Sequence, residues 1–213
     1  MLDRWRRLPG VERLEGAGAR AVLTFDDGPD PDSTPAVLDA LDEAGVKASF
    51  FVVGEQLLRH HAIAREALAR GHELELHGFE HRPHGELSPQ QARDDLARGL
   101  GALEASTGVR ARCCRPPYGL FSEASHAACT DLELEPVYWS GWGMDWEPIP
   151  GARIAELALR DLRPGSIVLL HDSPRYAARS SALATAEAVP LIAAAAREAG
   201  LELTTLGAAA TPS

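Results

Sequence analysis

The sequence predicts an α/β fold on parallel strands, either a barrel or a doubly wound sheet, and three observations carry that prediction. Short apolar runs alternate strictly with stretches of helical spacing along the 213 residues. The clearest runs, SFFVV at 49–53 and SIVLL at 166–170, are apolar almost without interruption, as strands buried on both faces must be. The side chains able to do chemistry gather at the carboxyl ends of the runs, where parallel α/β folds build their sites.

Taken in order, strands are expected at residues 21–25, 48–53, 73–77, 111–115, 136–140, 166–171 and 201–206. Helices fill the intervals, and their ends are marked. Thr34-Pro35 opens the first. Ser88-Pro89-Gln90-Gln91 opens another with an N-cap serine, a proline suited to the first turn and a glutamine that completes a capping box. Gly45, Gly71, Gly108, Gly165 and Gly200 each stand where a left-handed residue closes a helix before the next strand. The alanine-rich stretch 177–199 reads as an outer helix burying Leu183, Ala186, Val189, Leu191 and Ile192, with Pro190 kinking it or delaying its start. The first twenty or so residues and the tail after Leu206 show no strong pattern and are expected to be peripheral. No repeat or composition break divides the chain, so residues 1–213 are expected to form one domain.

Composition narrows the function. With 45% hydrophobic and 24% charged residues, disorder, collagen-like repeats and a disulfide scaffold are excluded. A net charge of −10 repels nucleic acid, anionic lipid and strongly anionic polymers. No run reaches the roughly 18–20 apolar residues of a membrane span, so no transmembrane segment is expected. The start, MLDRWRRLPGVERLEG, lacks the apolar core of a signal peptide, so a cytoplasmic location is expected unless export takes a non-standard route. Three cysteines, which cannot all pair internally, fit a reducing compartment, and without CxxC spacing the adjacent Cys113 and Cys114 read as buried packing rather than a zinc or redox site.

Asp26 and Asp27 follow the first strand, His77 closes the third with His81 just after it, and Arg115 closes the fourth. Asp145 follows the fifth, and His171-Asp172 closes the sixth. The i, i+4 spacing of His77 and His81 puts both imidazoles on one face if the chain turns helically there. With Asp27 as third ligand, two imidazoles and a carboxylate leave coordination positions open, the pattern of a catalytic rather than structural zinc site. Asp26 is then free to take a proton from water that the metal acidifies, the Gly28-Pro29 turn bringing both carboxylates to the site mouth. Aspartyl-phosphate chemistry is disfavoured, because Phe25 holds the position of the nucleophile in a DxDG signature. Arg115 can grip a carboxylate with two prongs. Pro116 and Pro117 lack an N–H, so the next amide, that of Tyr118, is a rigid candidate for an oxyanion hole. His171 is a candidate general acid, held by Asp145 or Asp172. His60, His61 and His72 read as background, and His84 as an alternative ligand near His81.

In series, TFDDGP (24–29), HGFEH (77–81), RPPYG (115–119), MDW (144–146) and IVLLHD (167–172) resemble the polysaccharide deacetylase family, carbohydrate esterase family four, from about residue 20 to 206. The resemblance implies a single-domain distorted (β/α)7 barrel that hydrolyses an N-acetyl or related amide, here on N-acetylhexosamine units of a glycan or glycoconjugate. Carried over by position, it implies Asp26 as catalytic base, Asp27, His77 and His81 as ligands of a divalent metal (zinc, with cobalt an alternative), and His171 as acid oriented by Asp145. Arg115 would partner Asp26, the Tyr118 amide would face the oxyanion, and Trp146 and Leu169 would wall the acetyl methyl group. One departure stands out: Trp142 replaces the first acid of the family's DxxDW block, which predicts a reshaped sugar groove. An amide hydrolase of the same fold acting on a small cyclic amide or imide is the alternative. A non-catalytic glycan-binding barrel is the third reading, disfavoured because a binder needs neither base nor acid.

Overall fold

A computed structural model describes residues 8–210. Residues 1–7 and 211–213 lie outside these. Eight strands among the described residues form one parallel sheet: β1 (Arg20–Asp26), β2 (Ser49–Val52), β3 (Glu73–Leu76), β4 (Cys113–Cys114), β5 (Glu135–Pro136), β6 (Gly141–Trp142), β7 (Ile167–His171) and β8 (Glu202–Thr204). Their order is β5-β4-β3-β2-β1-β7-β6, with β8 also on β1. β2 pairs with β1 over Thr24–Asp26 and β8 over Arg20–Val22, so two short strands share the length of one.

Alternation along each strand sorts the side chains. Leu23 and Phe25, Phe50 and Val52, Leu74 and Leu76, Cys114, and Val168 and Leu170 join the larger core, under the helices. Val22, Phe51 and Ile167 point the other way, into a smaller cluster at the barrel axis. Continuing upward on that axial face are Thr24 and Asp26 from β1, Leu169 and His171 from β7, and Arg115 just past β4. The two-residue period thus makes the same strands apolar outside and reactive inside.

The helices are α1 (Thr34–Ala44), α2 (Gly54–Ala69), α3 (Pro89–Thr107), α4 (Glu123–Asp131), α5 (Gly151–Leu159), α6 (Leu183–Glu198) and the short α7 (Leu206–Ala210). The first six follow the strands around the outside, in the order α4-α3-α2-α1-α6-α5. The Ser88–Gln91 capping box forms at the start of α3, and all five closing glycines take positive φ.

Four expectations are corrected. The fifth strand is two: β5 pairs with β4 and β6 with β7, and residues 137–140 carry the chain across the gap, which is the distortion of this barrel. The amino-terminal segment is not peripheral. Val11 bridges Val137 and Arg13 bridges Ser166, sealing that gap from below, because the edges of β5 and β7 offer unpaired backbone groups there. Nor is the tail peripheral: Leu206 and Ala209 of α7 are buried in the axial cluster, and the Leu206 amide donates to Ser49 Oγ at 2.9 Å. Finally, α6 starts before Pro190 and contains it, and its buried face is Thr185, Ala188, Val189, Ile192, Ala193 and Ala196, leaving Leu183 and Leu191 exposed.

Candidate active site

At the carboxyl end of the sheet, β1 delivers Asp26 in register with His171 of β7. Asp26 Oδ1 accepts from Arg115 Nη1 at 2.7 Å, and the same nitrogen donates to Thr24 Oγ1 at 2.8 Å. Nη2 donates instead to the Tyr138 carbonyl at 2.8 Å, so the expected two-pronged grip on a carboxylate is single-pronged. Arg115 is 0% exposed, its guanidinium 4.1 Å over the Phe51 ring. Paired and stacked in this way, the charge is tolerable inside the barrel.

Asp27 reaches the same side as Asp26 by a different device from the one expected. The chain turns at Asp27 itself, with φ 84°, a conformation that costs an L residue about 1–3 kcal/mol. Gly28 then passes so close to Asp172 that a Cβ would collide with its carboxylate. Asp172 does not hold His171; it accepts from the Gly28 amide at 3.1 Å and from Thr34 Oγ1 at 2.5 Å, which pins the turn to α1. Burial pushes its carboxyl up to about 7. Tyr118 (φ 59°) and Met144 (φ 51°), both beyond the carboxyl ends of strands, are also left-handed.

His77 and His81 sit on a loop rather than a helical turn. The loop is shaped by Asp95 of α3, whose carboxylate accepts the amides of Phe79 and Glu80, both at 2.9 Å. His77 Nδ1 is 2.8 Å from the Arg115 carbonyl. A carbonyl only accepts, so Nδ1 carries the proton and Nε2 presents its lone pair inward. His77 Nε2 and His81 Nε2 lie 3.5 and 3.2 Å from Asp27 Oδ1, a buried oxygen with no hydrogen bond of good geometry, and ligand atoms of all three residues lie within 4.8 Å of one another. A carboxylate oxygen facing two imidazole lone pairs fits a divalent cation. Burial pushes Asp27 up, but the imidazoles outweigh it and hold the carboxyl well below the usual range; burial pushes His81 down, toward the neutral form a ligand needs. His84, the alternative ligand, is buried outside this cluster.

On the other flank His171 Nδ1 is 2.8 Å from Asp145 Oδ1, while Asp145 Oδ2 accepts the His171 amide at 2.8 Å and Thr185 Oγ1 at 2.7 Å. Burial disfavours the imidazolium, but the Asp145 charge and hydrogen bond outweigh it and push His171 up to about 9. The reactive groups line one cavity of about 400 Å³, walled by Tyr118, Trp139, Trp146, Leu169 and Tyr176. Trp142, expected to reshape the groove, is 45% exposed and stands outside that lining.

Thr24, Asp95, Tyr176, Arg179 and Thr185 escaped the sequence reading. Asp95 alone left a signal, a charge on the buried stripe of α3 between Ala92 and Leu96.

A model of the polysaccharide deacetylase family matches residues 15–137. The chain belongs to this family. Among curated proteins, it is 37% identical over 164 residues to a chitooligosaccharide deacetylase of Bradyrhizobium sp. (strain ANU 289), covering 73% of this chain and 72% of that protein. Among solved structures, the deacetylase fold is shared at TM-score 0.85 and 27% identity with a peptidoglycan N-acetylglucosamine deacetylase crystallised with a hydroxamate-type benzamide, over 92% of this chain and 90% of that one. A CE4 family pseudoenzyme from Bacillus anthracis superposes equally well, with TM-score 0.85 at 23% identity over 99% of this chain and 72% of that one. Since a pseudoenzyme fits as closely, the polysaccharide deacetylase fold alone does not establish catalysis, and the side chains must carry that argument.

Proposed function

We propose that this polysaccharide deacetylase removes N-acetyl groups from N-acetylhexosamine units of a glycan, with zinc, or alternatively cobalt, held by Asp27, His77 and His81. The observation that carries this reading is that one cavity is lined at once by Asp26, the Asp27–His77–His81 cluster and the Asp145-held His171. A binder has no use for that combination.

When bound, the cation supplies Lewis acidity to the amide carbonyl and to water. Asp26, oriented by the Arg115 hydrogen bond to Oδ1, accepts the proton of the attacking water through Oδ2, the oxygen Arg115 leaves open. The Tyr118 amide, the first donor after two prolines, faces the oxyanion that develops as the carbonyl carbon becomes tetrahedral. His171, with Nδ1 committed to Asp145, turns Nε2 to the departing nitrogen and protonates it, because an amine leaves poorly without a proton. Trp146 and Leu169 provide apolar walls for the acetyl methyl, and the net charge of −10 favours a neutral N-acetylated sugar over an anionic one.

The test is acetate release from N-acetylglucosamine oligomers by zinc- or cobalt-reconstituted protein, beside ring opening of small ureides and imides. Acetate release that a chelator abolishes is expected; ring opening without acetate release overturns the glycan reading.

A further inference from the structure

The chain leaving β7, residues 172–182, crosses the cavity mouth and fastens to both flanks. Tyr176 stacks parallel on His81 with 4.0 Å between ring centroids, and its hydroxyl accepts from Gln56 Nε2 at 3.1 Å. The Ala178 amide donates to the Trp146 carbonyl at 3.2 Å, which places Ala177 and Ala178 in the cavity wall. Arg179 then turns inward and is 7% exposed. Its Nη2 donates to the His171 carbonyl at 2.9 Å and stands 3.4 Å from Asp145 Oδ2. Its Nη1 donates to Thr185 Oγ1, whose own proton goes to that same Asp145 oxygen.

We propose that Arg179 is a positioning residue for the acid pair. By holding the His171 carbonyl and sharing Asp145 Oδ2 with Thr185, it leaves Oδ1 as the oxygen that addresses the imidazole, and it offsets the negative charge that would otherwise hold the proton on His171 too firmly. The groups facing His171 show why an offset is needed. Asp145 approaches from the segment after β6, and Asp26 and Asp27 from the end of β1, all three favouring the imidazolium. An acid so strongly supported is a reluctant donor, and a guanidinium on the far oxygen of Asp145 draws part of that support away.

Stability alone gives no reason for arginine here. A buried guanidinium is costly to desolvate, its Nε makes no hydrogen bond, and an apolar side chain of similar volume would fill the space as well. Only the planar fork reaches the carbonyl, the hydroxyl and the carboxylate together, which a lysine ammonium cannot do. Arg179 does not line the cavity, so it acts through His171 rather than on the sugar.

The inference rests on His171 being the general acid, and the experiment separates the two. In the zinc-loaded enzyme assayed by acetate release, Arg179→Met is expected to lower kcat about tenfold with KM within about twofold. The alkaline limb of its pH profile should move up by about one unit, because losing the cation strengthens the hold of Asp145 on the proton. Arg179→Lys, which keeps the charge without the fork, should return the limb toward its original position and recover part of kcat. Should Arg179→Met fail to fold, Arg179→Gln, which keeps hydrogen bonding without charge, is expected to show the same upward limb. In a His171→Ala background the Arg179 substitution should have no further effect. Equal losses in both backgrounds, or an unmoved alkaline limb, overturn the inference and leave the acid assignment standing. A wild-type rate for His171→Ala alone overturns the acid assignment instead.

Discussion

On the flank built by β1, β3 and β4, the reactive groups are held mainly by neighbouring strand ends: Asp26 by Arg115, which also donates to Thr24, and His77 by the Arg115 carbonyl. On the flank built by β6 and β7, His171 and Asp145 depend on Thr185 from α6 and Arg179 from the chain crossing the mouth. The first flank is a product of strand register, whereas the second waits for a helix and a long connection to dock. Groups serving one reaction therefore stand on supports of different kinds. Substitutions on the first flank should damage the chemistry while leaving the second intact, and the reverse.

The largest expected effect isolates the first flank. Asp26→Asn should reduce acetate release about a thousandfold while the protein still binds one equivalent of zinc. His77→Ala should lose both metal and turnover. Metal analysis of the two variants checks this, and zinc loss in Asp26→Asn would show that the two aspartates have exchanged roles.

The next tests the second flank through pH. His171 is pushed up to about 9 from 6.5, so its protonated form stabilises the fold. That contribution is fully present below the unfolded value and is lost as pH rises through the folded one. Urea unfolding of metal-free protein should therefore show stability falling between about pH 6.5 and 9, by up to about 3 kcal/mol. His171→Ala should flatten that fall. Zinc on the first flank should shrink it, since a cation near the imidazolium opposes the proton; a fall of the same size with and without zinc would mean the flanks are electrostatically independent.

The smallest effect probes the exception on the first flank, where the loop carrying His81 leans on α3. Asp95→Ala removes the acceptor of two loop amides and should weaken zinc affinity about tenfold in a competition titration. Turnover at saturating zinc should stay within about twofold. An unchanged affinity would make that flank wholly a matter of strand ends.

How much was legible in the chain follows the same division. Asp26, Asp27, His77, Arg115 and His171 sit at or beside strand ends, so a reading that locates strands also locates them, and the structure brings all but Arg115, which is buried and bonded to Asp26, to the lining of one cavity. The residues alone do not choose between Asp145 and Asp172 as the partner of His171, because both stand at or beside strand ends and only packing shows Asp172 committed to Thr34 and Gly28. Arg179 and Thr185 carry no spacing or periodicity that marks them. The amino-terminal segment and α7 looked peripheral for a related reason: single bridges and a five-residue plug are too short to leave a pattern.

What the sequence determined by itself was local. The two-residue alternation made the sheet apolar outward and reactive inward, capping residues and glycines set the helix ends, and the order of motifs placed the reactive groups at one end of parallel strands. Tertiary structure alone decided the split of the fifth strand, the left-handed turn at Asp27, which carboxylate holds His171, and the buried arginine behind that pair. Periodicity is imposed by the backbone and can be read from neighbours in the chain. These last features come from docking between segments far apart in sequence, where geometry and desolvation select the partner.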